Sequence, residues 1–144
     1  LIKDNIKLIN ELDNKIIINF KTNKSDILLN SDSEQLSRVF FNLIKNSIES
    51  IQDKKIDNVD LIGKIHISIN DNVEKINFTI IDNGLGFGIF ADNIRDILNP
   101  YFTTKKKGTG LGLSIVNKII NDHNGKINFV SLENGAKIEI IFTK

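Results

Sequence analysis

The 144-residue chain contains no cysteine, no methionine, no tryptophan and one proline. Without cysteine there are no disulfides, no Cys-zinc sites and no thiol nucleophile. A lone proline, Pro100, leaves no Pro-marked linkers. No apolar run approaches the ~20 residues of a membrane span, and no secretory-signal pattern follows Leu1, a start that reads as an internal point of something longer. Charge of one sign is also missing: 19 basic and 18 acidic residues leave a net +1. That balance gives no reason to expect nucleic acid or an anionic membrane as a partner. No repeat with a period of 20–50 residues and no low-complexity block is found. The heavy use of Ile, Asn and Lys reads as biased base composition in the gene. What is there is ordinary for a globular domain: 16.2 kDa, 40% hydrophobic and 26% charged. A chain of this size makes one domain and buries roughly 70% of its unfolded surface.

Hydrophobic periodicity predicts the elements. Residues 1–13 carry Ile2, Ile6, Ile9 and Leu12 on one helical stripe. Residues 1–14 are expected to be a linker helix or the end of a preceding domain, and 15–144 the domain proper. Ile16–Phe20 and Ile27–Asn30 read as short strands joined by a polar turn, Thr22–Asp26. Ser31-Asp32-Ser33-Glu34 has the form of a capping box. Leu36, Val39, Phe40, Leu43, Ile44, Ile48 and Ile51 then predict a helix over 32–52, with 53–62 a polar connection. Lys64–Asn70 and Lys75–Ile81 alternate as a hairpin around Asp71-Asn72. Residues 82–109 are glycine-rich and nearly strandless, with a short helix near 90–98; so long a stretch inside a compact domain points to function. Leu111–Asp122 predicts a second strong helix, with Leu111, Ile115 and Ile119 on one side and Asn124-Gly125 as its stop. Strands Lys126–Ser131 and Ala136–Phe142 follow around Asn134-Gly135. This order gives an α/β sandwich, a mixed sheet with helices on one face.

Four constellations carry chemistry, each with two readings. Asn42 and Asn46 lie four apart, about 40° around the first strong helix, with Glu49 on the same flank. They are either a solvated polar face or amide oxygens for a hard, mostly hydrated cation that bridges to phosphates. Asp82-Asn83-Gly84-Leu85-Gly86-Phe87-Gly88 follows a strand. It is either a glycine turn or a place where backbone approaches a ligand closely, with Asp82 as acceptor for an exocyclic amine. Its G-x-G-x-G spacing is not the dinucleotide fingerprint. Gly108-Thr109-Gly110-Leu111-Gly112-Leu113-Ser114 runs into the second helix. It is either a Gly-rich cap or a phosphate site made of free N–H groups at a helix N-terminus. It lacks Walker A spacing. Pro100-Tyr101-Phe102-Thr103-Thr104-Lys105 sits just before it. Phe102 could anchor that segment and Lys105 reach a terminal phosphate, or Lys105–Lys107 are a solvated loop tip.

Taken together and in this order, the four stretches resemble the ATP-binding catalytic domain of sensor histidine kinases. That family lies within the group that also holds gyrase, mismatch-repair and heat-shock-chaperone ATPases. The resemblance covers about residues 15–143, and PYFTTKKKGTGLGLSIVNKIINDHNGKI looks most like the nitrogen-regulation, NtrB/NtrY-type branch. It implies a two-layer α/β sandwich with a flexible ATP lid, and ATP and Mg²⁺ as cofactors. By the same resemblance Asn46 binds Mg²⁺, with Asn42 beside the phosphates. Asp82 holds the adenine amine, Gly84 and Gly86 line the base, and Phe102 is the lid aromatic. Gly108, Thr109, Gly110 and Gly112, with the amides of Leu111 and Leu113, wrap the phosphates. Ile48, Ile81 and Ile89 are candidate walls for the base. Gly88 stands where many relatives have proline, and Asn124 where glycine is common. The family's acceptor histidine lies on a separate dimerisation domain, and the phosphoryl group passes on to a response regulator in a two-component phosphorelay. Neither His66, on a strand, nor His123, at a helix end where a cation suits the dipole, sits in an acceptor motif. The expected setting is a cytoplasmic domain that does not itself touch membrane, in a parent protein that is either anchored in the inner membrane or free of it.

One position separates kinase from ATPase. Hydrolytic relatives resemble this helix but carry Glu four residues before the Mg²⁺-binding Asn, as the base that activates water. Here that residue is Asn42, which cannot take a proton. A neutral imidazole needs no such base. The expectation is therefore transfer of the γ-phosphoryl group to histidine, resting on positioning and charge neutralisation by Asn42, Asn46 and Lys105. The alternative is a regulatory module of the same fold that binds nucleotide with little transfer.

Overall fold

The computed structural model describes residues 1–12, 15–87 and 112–144. Eight elements follow in chain order: α1 (Ile2–Leu12), β1 (Ile17–Thr22), α2 (Ser33–Asp57), β2 (Lys64–Asp71), β3 (Lys75–Asp82), α3 (Gly112–Asp122), β4 (Gly125–Leu132) and β5 (Gly135–Thr143). Among the described residues the strands form one sheet, ordered β1-β2-β3-β5-β4. β1 runs parallel to β2, with Ile17 opposite Lys64. The other neighbours are antiparallel, including Ile67 opposite Ile80 and Ile80 opposite Ile138.

The expected hairpin of Ile16–Phe20 with Ile27–Asn30 does not form. Parallel strands need a long crossover, and α2 is that crossover, returning the chain beside β1 as β2. Ile27–Asn30 therefore has no ladder partner and is not a strand. Ile27 and Leu29 still lean on the core, while Leu28 is 90% exposed.

The helices cover one face of the sheet. The period-2 pattern puts Ile65, Ile67, Ile76, Phe78, Ile80, Ile138, Ile140 and Phe142 beneath them. From α2 the predicted stripe Leu36, Val39, Phe40, Leu43, Ile44, Ile48 and Ile51 is buried. Phe40 packs on Phe78 with ring centroids 4.7 Å apart. α1 rests on α2: Ile9 is buried in the common core, and Asn5 Nδ2 donates to Ser37 Oγ at 3.0 Å. On the other face, His66, Ser68, Thr79, Ile81, Lys137 and Glu139 stand half-exposed.

Four local expectations change. The cap of α2 is Asp32, not Ser31: its carboxylate accepts from Glu34 N and Gln35 N, while Ser31 Oγ bonds Leu29 O. α2 runs on to Asp57, because 53–57 offers good helix formers and nothing in it breaks the helix. In α3 the buried face is Val116, Ile119 and Ile120, with Ile115 turned outward. The helix stops at Asn124, whose φ of 55° is the left-handed C′ conformation expected of it. His123 is not simply a cation on a dipole: Asp32 N–H donates to its Nε2 (3.0 Å) and its Nδ1 lies 2.8 Å from Ile119 O. The ring thus ties the start of α2 to the end of α3.

Candidate nucleotide site

The site is laid out along α2. At one end stands Asn42, whose Nδ2 donates to Arg38 O at 2.8 Å, which fixes the amide and directs its oxygen outward. That oxygen faces the start of α3: a Cβ placed on Gly112 would lie 3.9 Å from Asn42 Oδ1. The first N–H groups of α3 have no intrahelical partners. The Asn42 amide oxygen and the start of α3 therefore lie close together. Leu113 follows in the first turn, its side chain leaning on the core. Asn46 lies one turn further along the same flank, half-buried and engaged in an interaction of its own.

At the other end, β3 delivers Asp82 beneath α2. Asp82 shares the face of Ile76, Phe78 and Ile80, so its carboxylate is buried. Burial pushes the carboxyl above the usual carboxylate range. The Gly84 N–H, Ser47 and the backbone of Ala136 act against that rise through hydrogen bonds, and the Lys54 charge adds a weaker opposing effect. The Gly84 N–H bond to Oδ1 is 2.9 Å long. A carboxylate has about four acceptor sites, so these three partners leave capacity for a donor from a ligand.

The glycines of the D-x-G-x-G stretch first serve close packing. A Cβ on Gly84 would come within 2.8 Å of the Ser50 backbone carbon. Gly86 has φ +72°, and a Cβ there would meet Gly135 O at 2.6 Å. Gly135 itself has φ +127°, with its Cβ direction 1.8 Å from Asp82 O. The turn after β3 is thus pressed between α2 and the β4–β5 turn.

Sequence reasoning missed the residues that hold this turn. Ser47 is a buried hydroxyl beside Asp82, Ser50 Oγ accepts from Leu85 N (2.9 Å), and Lys54 Nζ donates to the carbonyls of Asn83 and Gly84 (both 3.1 Å). Asn83 does structural work: its Oδ1 accepts from Lys64 N and its Nδ2 donates to Ile62 O. One signal was available. Ser47 interrupts the apolar stripe between Ile44 and Ile48, and a polar group there needs a partner. Among the proposed base walls, Ile48 is buried beside Ser47, but Ile81 is misplaced: adjacent strand residues face opposite ways, so it lies on the open face away from Asp82. Ile89, Phe102, Lys105, Gly108, Thr109, Gly110 and Leu111, the turn at Gly88 and the helix expected near 90–98 lie outside the described residues.

From Asn42 to Ser47, whose hydroxyl bonds Asp82, is five residues of helix, roughly 7.5 Å along the axis. Among the described residues no three His, Cys, Asp or Glu side chains cluster as a metal site. The amide oxygens of Asn42 and Asn46 suit a Mg²⁺ held chiefly by water and phosphate, while the Glu49 carboxylate on the same flank lies 3.9 Å from Lys45 Nζ.

Residues 31–144 match the profile of the histidine kinase-, DNA gyrase B-, and HSP90-like ATPase family, and the chain belongs to that family. The relatives it matches include sensor histidine kinases. A putative NtrY-like sensor histidine kinase of Rickettsia bellii is 35% identical over 132 residues, covering 91% of this chain and 20% of that protein. Sporulation kinase A of Bacillus subtilis is 38% identical over 132 residues, covering 91% of this chain and 20% of that protein. Among solved structures, the nucleotide-free catalytic domain of histidine kinase ThkA superposes with a TM-score of 0.83 at 32% identity, covering 99% of this chain and 90% of that one. ThkA in complex with the response regulator TrrA matches with a TM-score of 0.71 at 28% identity, covering 99% of this chain and 40% of that one. The fold is that of a histidine-kinase catalytic domain, and the chain spans about a fifth of the length of these two curated relatives.

Proposed function

We propose that this chain is the ATP-binding catalytic domain of a two-component sensor histidine kinase of the NtrY-like branch. It transfers the γ-phosphoryl group of MgATP to a histidine on a dimerisation domain. The observation that carries the reading is the buried Asp82 carboxylate, held with spare acceptor capacity beside Ser47 of α2, with Asn42 facing the start of α3 about one and a half turns away. Asp82 accepts from the adenine amine. Asn42, Asn46 and the first amides of α3 hold the phosphates and, with Lys105, Phe102 and the glycines 108–112 of the lid, enclose them. Asn46 would hold Mg²⁺, which would neutralise charge on the phosphates. A neutral imidazole nitrogen of the acceptor attacks the γ-phosphorus; the bond to the β-phosphate oxygen breaks and ADP leaves. An N–P bond forms, and the imidazole N–H proton passes to solvent. Asn42 cannot serve as a base for water, which favours this course over hydrolysis.

Residues 1–14 are then the end of a preceding domain or a linker, and a response regulator receives the phosphoryl group. Among the described residues no helix is long and apolar enough to cross a membrane. The reading places this domain in the cytoplasm, whether or not its parent is membrane-anchored, and gives it no nucleic-acid partner.

The test is incubation with γ-labelled ATP, with and without a dimerisation domain carrying the acceptor helix. The expected product appears only with that domain, and is stable in base and labile in acid, as a phosphoramidate is. Tethering supplies the effective concentration that free domains lack. Binding without transfer to a tethered acceptor would establish the regulatory-module reading instead, and steady phosphate release without an acceptor would establish an ATPase.

A further inference from the structure

Three side chains of α2 reach the turn after β3: Ser47, Ser50 and Lys54. Their spacing, i, i+3 and i+7, puts them on one helical face. Ser47 bonds the Asp82 carboxylate and Ser50 takes the Leu85 N–H. Lys54 spans the segment between them, with one ammonium donating to two consecutive carbonyls, Asn83 O and Gly84 O, each at 3.1 Å. The Gly84 N–H in turn donates to Asp82 Oδ1. Lys54 thus holds the peptide units whose N–H orients the carboxylate. The contact is close enough that only glycine fits at 84. Asn83 fixes the other side of the turn to Lys64 and Ile62.

We propose that Lys54 is the positioning residue of the base-recognition turn. By clamping the Asn83 and Gly84 carbonyls to α2, it sets the direction of the Asp82 carboxylate, and with it adenine affinity and selection against guanine. The inference rests on the nucleotide reading above. Lys54 touches no reacting atom; it acts through Gly84 and Asp82. Its charge contributes as well. Among the described residues it is the charged side chain whose field acts on Asp82, the other partners being Ser47 and backbone groups. Removing it leaves the carboxylate less favoured against its protonated form.

The experiment compares Lys54→Met, Lys54→Arg and Lys54→Gln, with Asp82→Asn as control, by calorimetry of ADP, ATP and GTP binding across pH. Lys54→Met should weaken ADP and ATP alike by about tenfold and narrow the preference for ATP over GTP. It should also move the pH at which ADP affinity is half-maximal upward. Lys54→Arg should restore all three. Lys54→Gln keeps donors for the carbonyls, and serves if the Met variant does not fold. It should hold affinity near wild type at neutral pH while still shifting the pH midpoint. ADP affinity within twofold of wild type in Lys54→Met, or an unmoved pH midpoint in Lys54→Gln, would overturn the inference if Asp82→Asn has lost binding. Unchanged binding by Asp82→Asn would instead remove the base reading itself, and this inference with it.

Discussion

Replacing Asp82 by Asn changes one atom and separates what the carboxylate does for the fold from what it does for a ligand. The amide keeps an oxygen for the Gly84 N–H, now at 2.9 Å. Ser47 can reverse its hydroxyl, so the turn stays in place. What is lost is the buried charge and the acceptor capacity on the second atom. A hydrogen bond to a charged acceptor contributes about 1.5–3 kcal/mol, so ADP and ATP should bind roughly tenfold to 150-fold more weakly. Stability should move the other way. Because burial raises the Asp82 carboxyl in the folded state, the folded protein holds its proton to higher pH than the unfolded chain. The associated stabilisation is complete below the unfolded value near pH 4 and is lost as pH rises through the folded value. Asn has no such titration. The stability of the variant relative to wild type should therefore rise as pH climbs from the unfolded value near 4 through the folded one. Thermal unfolding over that range, beside calorimetry with ADP, measures both effects. Two results would refute the reasoning: ADP affinity within twofold of wild type, or stability profiles that run parallel across the whole range.

Asn46→Ala should abolish the Mg²⁺-dependent part of ATP affinity while leaving the melting temperature within a few degrees, because the residue lies outside the buried stripe of α2; titrations with and without Mg²⁺ check it. Gly135→Ala combines φ +127° with a Cβ pressed onto Asp82 O, and should cost about 1–3 kcal/mol or more in denaturant unfolding, with nucleotide affinity falling too. Asp71 is buried among Lys144, Lys24 and the Asn23 side chain. Its hydrogen bond from Lys144 holds the carboxyl below the usual range against the opposing effect of burial, with Lys24 assisting. The stabilisation is present above the unfolded value, near pH 4, and is lost as pH falls through the folded one. Asp71→Asn should be less stable at neutral pH and show a shallower acid limb in a pH-unfolding series.

The sequence made the long-period features legible and hid those that depend on tertiary partners. The α2 stripe from Leu36 to Ile51 and the alternation in β2, β3 and β5 were readable because each residue's burial follows from its own element's period. Ile27–Asn30 failed because a strand is defined by its neighbour, and α2 carries the chain past that segment to a parallel partner. Ile115 failed because α3 packs through Val116, Ile119 and Ile120, a face rotated one position from the expected one. In the candidate site, Asn42, Asp82 and Gly112 were singled out by motif order. Lys54 was not, since its partners are backbone carbonyls about 30 residues away, and no local pattern marks a lysine for that task. Gly135 read as an ordinary hairpin glycine, although its φ and its close approach set it against Asp82.

The meeting of the β4–β5 turn with Asp82 also sets an order of assembly. α2, β2 and β3 are consecutive in the chain and bring Ser47, Lys54 and Asp82 within reach of one another. Yet Gly135 and Ala136, which press on Asp82 and bond it, come more than 50 residues later. A chain emerging from the ribosome therefore has Ser47, Lys54 and Asp82 before it has the wall that fixes them. A ligand that bound only the finished arrangement would add stability to that state alone, and so would favour the last step, the docking of the final hairpin on β3.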